Sequence, residues 1–158
     1  MKRTDEEDWI NGIVPGSVLS SKEVIALDFG TVLDTRQKRR QSYLEFDFIV
    51  DGSSVSSGTV LFVKPKHFDF QNPKISTAVT ETDDLFVVEV QSEAFAKFVK
   101  LDLSNADSLW SDNIFDLSAS RPKSVTVQKN SLIKALSLVE FREQLMVHSL
   151  FDTYALYG

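Results

Sequence analysis

The residue types that most often carry chemistry are scarce or poorly placed in this chain. Cysteine is absent, so neither disulfides nor thiolate metal sites can form. His67 and His148 are its two histidines. A zinc centre would therefore lean on carboxylates, and none stands at ligand spacing from either imidazole. Ser149 lies beside His148, but neighbours on a strand project to opposite faces, so they do not begin a nucleophile and base pair. No Gly-rich phosphate loop and no Gly-x-Ser-x-Gly elbow occurs. Asp and Glu are plentiful at 23. Cleaving a glycosidic bond, for example, takes two carboxylates, about 5 Å apart for retention and further for inversion. The acids here fall at turns and on polar strand faces, where nothing would raise a carboxyl's pKa. The sequence thus offers no catalytic residue, no metal ligand set and no cofactor site.

Aromatic residues leave one binding possibility. A carbohydrate platform presents exposed rings to the apolar faces of sugars. Trp110, in the loop Ser108-Leu109-Trp110-Ser111, is the best candidate for sugar contact, with Trp9 second. The competing reading closes one end of a core with Trp110, a common fate for a lone tryptophan. Phe68 and Phe70 in His67-Phe68-Asp69-Phe70 share one strand face and are expected in a core.

The elements that must position these residues belong to an ordinary globular chain. It has 158 residues, 42% hydrophobic, 11% aromatic and 25% charged. At this length about 70% of the unfolded surface can be buried without staples. The 12 phenylalanines favour pleated structure. A formal charge of −6 speaks against nucleic acid as a partner. The basic run Arg36-Gln37-Lys38-Arg39-Arg40 reads as a solvated turn between two strands. No apolar run approaches membrane-spanning length, and Asp5, Glu6, Glu7 and Asp8 occupy the start where a signal peptide would be apolar. The expected location is cytoplasmic.

Alternation of apolar and polar residues predicts strands along most of the chain. Val24 to Phe29 alternates briefly. Tyr43 to Val50 puts Leu44, Phe46, Phe48 and Val50 on one face and Glu45 and Asp47 on the other. Asp51-Gly52 then marks a hairpin turn, and Thr59 to Val63 returns, with Val55 suggesting a loop longer than two residues. Further strands are expected over residues 75–80, 85–90, 96–103 and 124–128, and residues 104–120 read as loop. In strand 96–103, Lys97, Val99, Leu101 and Leu103 share a face. The end supports either period, with helix possible over residues 131–140 and a strand expected over 142–150. About eight short strands without βα alternation describe an all-β antiparallel sandwich.

Several segments carry a resemblance. Ser111-Asp112-Asn113-Ile114-Phe115-Asp116-Leu117, followed by Pro122-Lys123-Ser124-Val125-Thr126-Val127, resembles the Ser-Asp-Asn-aromatic-Phe-Asp-Leu loop and next strand of β-mannosidase carboxyl-terminal domains in glycoside hydrolase family 2. This chain has Ile114 where that family often has Tyr. Val63-Lys64-Pro65-Lys66-His67-Phe68 resembles the Pro-Lys segment before the last domain. Ser149-Leu150-Phe151-Asp152-Thr153-Tyr154 resembles the closing segment. These motifs are expected to be structural: Asp112, Asn113 and Asp116 accept bonds from nearby backbone N–H groups, and Phe115 anchors the loop inward.

Trp9 to Ser20, with Val14-Pro15-Gly16-Ser17-Val18, resembles the start of the amino-terminal sugar-binding domain of the same enzymes. The resemblance implies an immunoglobulin-like β-sandwich over residues 22–158 behind an opening segment 1–21, and the break at Asn72-Pro73 leaves open whether those residues are one sandwich or parts of two with a sub-boundary near 72. It also implies an internally shortened chain, joined near Ser20-Ser21-Lys22 and lacking the barrel with the two catalytic glutamates. The barrel's acid/base is expected in an Asn-Glu pair, and no Asn-Glu occurs here. A domain parted from its neighbours exposes apolar area, so a homo-oligomer is expected, with carbohydrate the other partner to consider.

Overall fold

A computed structural model describes residues 25–119 and 121–155. The opening segment 1–21, with Trp9 and the Ser20-Ser21 junction, lies outside them. Eight strands run through the described residues, all paired antiparallel.

Strands β3 (Ser76–Glu81), β4 (Leu85–Gln91) and β7 (Lys123–Gln128) form one sheet in the order β3-β4-β7. Strands β5 (Ala96–Leu103), β6 (Phe115–Leu117) and β8 (Leu145–His148) form the other, in the order β6-β5-β8. Alternation decides what each sheet buries. Phe86, Val88 and Val90 of β4 are fully buried, as are Val125 and Val127 of β7. Val99 and Leu101 of β5 meet them in one core, with Phe115 and Leu117 of β6. The expected antiparallel immunoglobulin-like sandwich is what these two sheets form.

Helix α2 (Leu138–Gln144) belongs to this core. Ser137 and Glu140 make a reciprocal capping box that satisfies its first N–H groups. The helix drives Phe141 inward, where it is 0% exposed and stacks on Phe86 at 4.2 Å. The strand expected over residues 142–150 is therefore shorter than its alternation suggested. Helix holds until Gln144, β8 takes four residues, and helix α3 (Leu150–Ala155) then follows, the Asp152 carboxylate in its first turn accepting from the N–H and hydroxyl of Ser149. The anchoring of Phe141 overrides a period-2 pattern.

Upstream, β1 (Tyr43–Val50) and β2 (Ser53–Leu61) make a separate two-stranded sheet. Asp51 and Gly52 both have positive φ, 49° and 78°, which is the two-residue turn matching strand twist. The loop is tighter than Val55 suggested, because Val55 is absorbed in a register shift between Phe48 and Ile49. The Phe46 ring lies over Gly58, where a Cβ would come within 2.8 Å of its Cζ and push the ring aside.

Three further expectations change. The basic run is helix α1 (Arg36–Gln41), capped by Thr35 and burying none of its residues. Residues 25–29 form no strand; Phe29 instead packs edge-on against Phe62 at 5.4 Å. Phe68 and Phe70 follow a 3₁₀ turn over Pro65–His67 rather than sharing a strand.

Candidate functional site

A dense set of polar contacts gathers where the hairpin meets the sandwich, and Asp116 is its hub. Its carboxylate takes a bond from Lys97 Nζ at 2.8 Å and from the N–H of Phe98 at 3.0 Å, and another from the Thr59 hydroxyl. Thr59 belongs to β2, Lys97 and Phe98 to β5, and Asp116 to β6. Three strands from two separate sheets are therefore tied to one acid. Burial pushes the Asp116 pKa up, but the bonds from Lys97, Thr59 and Phe98 outweigh it and hold the carboxyl below its ordinary value. Lys97 and Asp116 side chains are only 12% and 16% exposed, so this pair sits in a poorly screened setting.

Local backbone explains how these groups converge. The ladder between β5 and β6 shifts register between Ala96 and Val99, and Phe98 in that bulge has φ of 55°. The bulge turns Phe98 out to solvent and frees its N–H for Asp116. Lys97 therefore does not continue the face of Val99, Leu101 and Leu103, as strict alternation predicts. Its ammonium lies 4.6 Å from the Phe98 ring centroid.

The loop before β6 is built as its motif implies, with one exchange. Asn113 acts as a surrogate strand residue: Oδ1 accepts the N–H of Leu101 at 2.9 Å, and Nδ2 donates to its carbonyl at 2.9 Å. Phe115 is buried, and Lys123 Nζ stands 4.5 Å over its ring. Ser111 exchanges bonds with the backbone of Thr126 at 2.8 and 2.9 Å. Asp112, expected to accept backbone N–H groups, instead pairs with Lys123 at 2.5 Å. Ile114 carries a positive φ of 62°, uncommon for a β-branched residue.

Around this hub the joint is aromatic and ionic. Tyr43 of β1 stacks on Phe95 at 4.1 Å, and Phe68 and Phe70 lie 5.9 and 6.2 Å from the same ring. Tyr154 of the closing segment stacks on Phe70 at 6.3 Å. Arg121 reaches Glu45 at 3.1 Å and Asp47 at 3.6 Å, and the Glu45 hydrogen bond first of all holds its guanidinium more firmly protonated. Arg40 pairs with Asp69 through Nε at 3.0 Å.

The remaining motif residues take supporting places. Pro65, Lys66 and His67 form the exposed 3₁₀ turn between hairpin and sandwich. Ser149 is buried, its N–H 2.6 Å from Asp152; Thr153 bonds the carbonyl of Leu150 at 2.7 Å. Trp110 is half-buried, bridges to Val127 and lies 6.1 Å from Phe141, so its ring closes the end of the core. Sequence reasoning missed Thr59, Lys97 and Phe95. Lys97, a lone charge within an apolar alternation, was the one legible signal.

A shallow cleft of about 450 Å³ runs between β2 and the 112–116 loop, lined by Glu45, Ser57, Phe98, Asp112 and Lys123 among others. Its carboxylates are bound into ion pairs, Glu45 with Arg121, Asp112 with Lys123 and Asp116 with Lys97. What this arrangement does chemically is fasten two sheets together. Among the described residues no group of three or more His, Asp or Glu could hold a metal ion, and no helix is long and apolar enough to cross a membrane.

The model of the mannosidase Ig-fold domain matches residues 70–153, which cover the sandwich. The chain belongs to the mannosidase Ig-fold domain family. The model of the mannosidase Ig/CBM-like domain matches residues 17–67, which include the hairpin. No curated protein matches the sequence. Among solved structures, the β-D-mannosidase of Dictyoglomus thermophilum is similar with a TM-score of 0.57 and 17% identity, over 68% of this chain and 13% of that one. That likeness supports the fold, and this chain spans only 13% of that enzyme's length. The matched regions are accessory Ig-like domains of the mannosidase type.

Proposed function

We propose that this chain is a non-catalytic, structural and interaction region of a β-mannosidase-like glycoside hydrolase, in an internally shortened form without the catalytic barrel, acting in the cytoplasm. The carrying observation is the Asp116 joint. Its poorly exposed carboxylate accepts from Thr59 of the hairpin and from Lys97 and Phe98 of the sandwich, and its lowered pKa keeps it ionised. A general acid would need the opposite, a carboxyl kept protonated near neutral pH. The family supports the accessory role, because both matched models describe Ig-like domains.

Assay of the purified chain on a chromogenic β-mannoside tests the reading. No turnover above the buffer blank is expected; turnover that co-purifies with the chain overturns it. The shortening is tested separately by sequencing the transcript across the codons for Ser20 to Lys22. A continuous reading frame there supports it, and an intervening barrel-coding exon sinks it.

The second reading, a carbohydrate-binding module using Trp110 and the 108–116 loop, keeps one supporting feature. Trp110 is only partly buried and precedes the cleft-lining loop in the chain. Its packing on Phe141 favours the structural role. Titration with mannobiose, followed by indole N–H shifts, separates the two. Saturable movement at Trp110 would favour sugar binding.

A further inference from the structure

The basic run leads into a serine. Arg39 and Arg40 stand three and two residues before Ser42, and the aromatic Tyr43 follows it. Serine kinases that select basic substrates read this spacing. Guanidiniums at those two positions meet carboxylates of the enzyme, and an apolar side chain fills the next subsite. The fold leaves the segment open to such an enzyme. Helix α1 has six residues and buries none of them. Arg36 lies one turn from both Arg39 and Arg40, so like charges oppose the helix. It is held by the Thr35 cap, whose hydroxyl accepts the Lys38 N–H at 3.2 Å, and by the exposed pair Asp34–Lys38 at 2.9 Å. A helix this short without a packed face opens at little cost. Ser42 is already extended, with φ of −120° and ψ of 144°, and is only partly buried. A second arginine, Arg121, precedes Ser124 by three residues, and the contrast is instructive. Ser124 is paired with Glu89 inside the β4–β7 ladder, and Arg121 is engaged by Glu45 and Asp47. Ser42 lies just outside a ladder, on chain that can be drawn out.

We infer that Ser42 is a phosphorylation site for an arginine-directed serine kinase, and that the modification loosens the hairpin from the sandwich. Ser42 Oγ attacks the γ-phosphorus of ATP, and its O–P bond forms as the bond to the β,γ-bridging oxygen breaks. ADP leaves, and the hydroxyl proton passes to a carboxylate of the kinase. The new phosphate sits at the C-cap of α1, beside its last carbonyls, where added negative charge is unfavourable. It also competes with Asp69 for Arg40. Arg40 Nε donates to the Asp69 carboxylate at 3.0 Å, and its carbonyl accepts the Asp69 N–H at 2.8 Å. Those bonds tie the start of the hairpin to the segment carrying Phe68 and Phe70. Tyr43, the next residue, stacks on Phe95 at 4.1 Å, so a disturbance at Ser42 reaches the joint directly.

The test incubates the full chain with Mg-ATP and the catalytic subunit of cyclic-AMP-dependent protein kinase, then maps the modified peptide by mass spectrometry. One phosphoryl group at Ser42 is expected, and none at that position in Ser42→Ala. Arg39→Ala leaves the Arg40–Asp69 pair in place and should slow incorporation at least about tenfold, since a charged hydrogen bond to the enzyme is lost. In the phosphorylated chain the amides of β1 and β2 should exchange at least about tenfold faster, while those of β4 and β7 keep their protection. A folded chain that takes no phosphate overturns the inference. So does phosphate on Ser124 in place of Ser42, or a rate indifferent to Arg39. Phosphate at Ser42 with unchanged hairpin exchange overturns the coupling to the joint. None of these outcomes depends on whether the chain turns over a mannoside.

Discussion

The hairpin of residues 43–61 and the sandwich of residues 76–148 are made of similar strands but hold together for different reasons. The sandwich has two sheets facing one another, so alternate residues such as Phe86, Val88, Val99 and Leu101 reach zero exposure. Among the described residues the hairpin has no facing sheet of its own, and Phe46, Phe48 and Val50 are 44–52% exposed although they alternate as cleanly. Polar contacts at one face, through Thr59, Glu45 and Tyr43, do for the hairpin what a core does for the sandwich. Identical patterning therefore yields a self-supporting body in one place and a dependent one in the other. The second layer is what differs.

The largest test of that difference is Phe141→Ala. It removes the ring stacked on Phe86 and should cost about 3–5 kcal/mol in a chemical denaturation experiment. A loss under about 1 kcal/mol would show that the sandwich core collapses more easily than its close packing implies.

Next is Asp116→Ala, expected to cost about 2–3 kcal/mol because Lys97 and Thr59 lose a charged partner. Hydrogen exchange should quicken first in β1 and β2, with the amides of β4 and β7 remaining protected. Uniform quickening would mean that the joint and the core unfold as one unit. The same residue sets a pH dependence. Its folded pKa lies below the unfolded value, so its stabilisation is complete above the unfolded carboxyl pKa. That stabilisation fades as pH falls through the folded value, below about pH 4. Asp116→Ala should flatten the acid limb of the thermal stability profile, and an unchanged limb would remove the joint from the account.

A smaller and opposite effect is expected from Ile114→Asn. Ile114 is 61% exposed and held at positive φ, so little packing is lost and strain of about 1 kcal/mol is relieved. A calorimetric melting temperature that falls would show that Ile114 earns its strained place through contacts.

Smallest of all, Phe48→Ala should change monomer stability by less than about 0.5 kcal/mol, since its ring is already half in water. A large loss in dilute denaturation would place Phe48 in a covered layer and erase the contrast between the regions.

The sandwich was legible because its strands obey period two and their turns carry recognisable residues: Asp83-Asp84 between β3 and β4, Asp51-Gly52 between β1 and β2. The Ser111-to-Leu117 motif also announced a fixed loop, and Asn113 and Phe115 behave as their chemistry implies. Alternation records which residues share a face, but it carries no information about what lies opposite that face. It could not separate Phe86, which meets Phe141, from Phe48, which meets no other described layer. The helix at Leu138–Gln144 was likewise ambiguous, because short apolar runs satisfy both periods until a buried anchor selects one. Asp116 reads in sequence as one acid among many. Only the convergence of β2, β5 and β6 makes it the point where two sheets are joined, since Thr59, Lys97 and Asp116 lie far apart along the chain and within bonding distance in space.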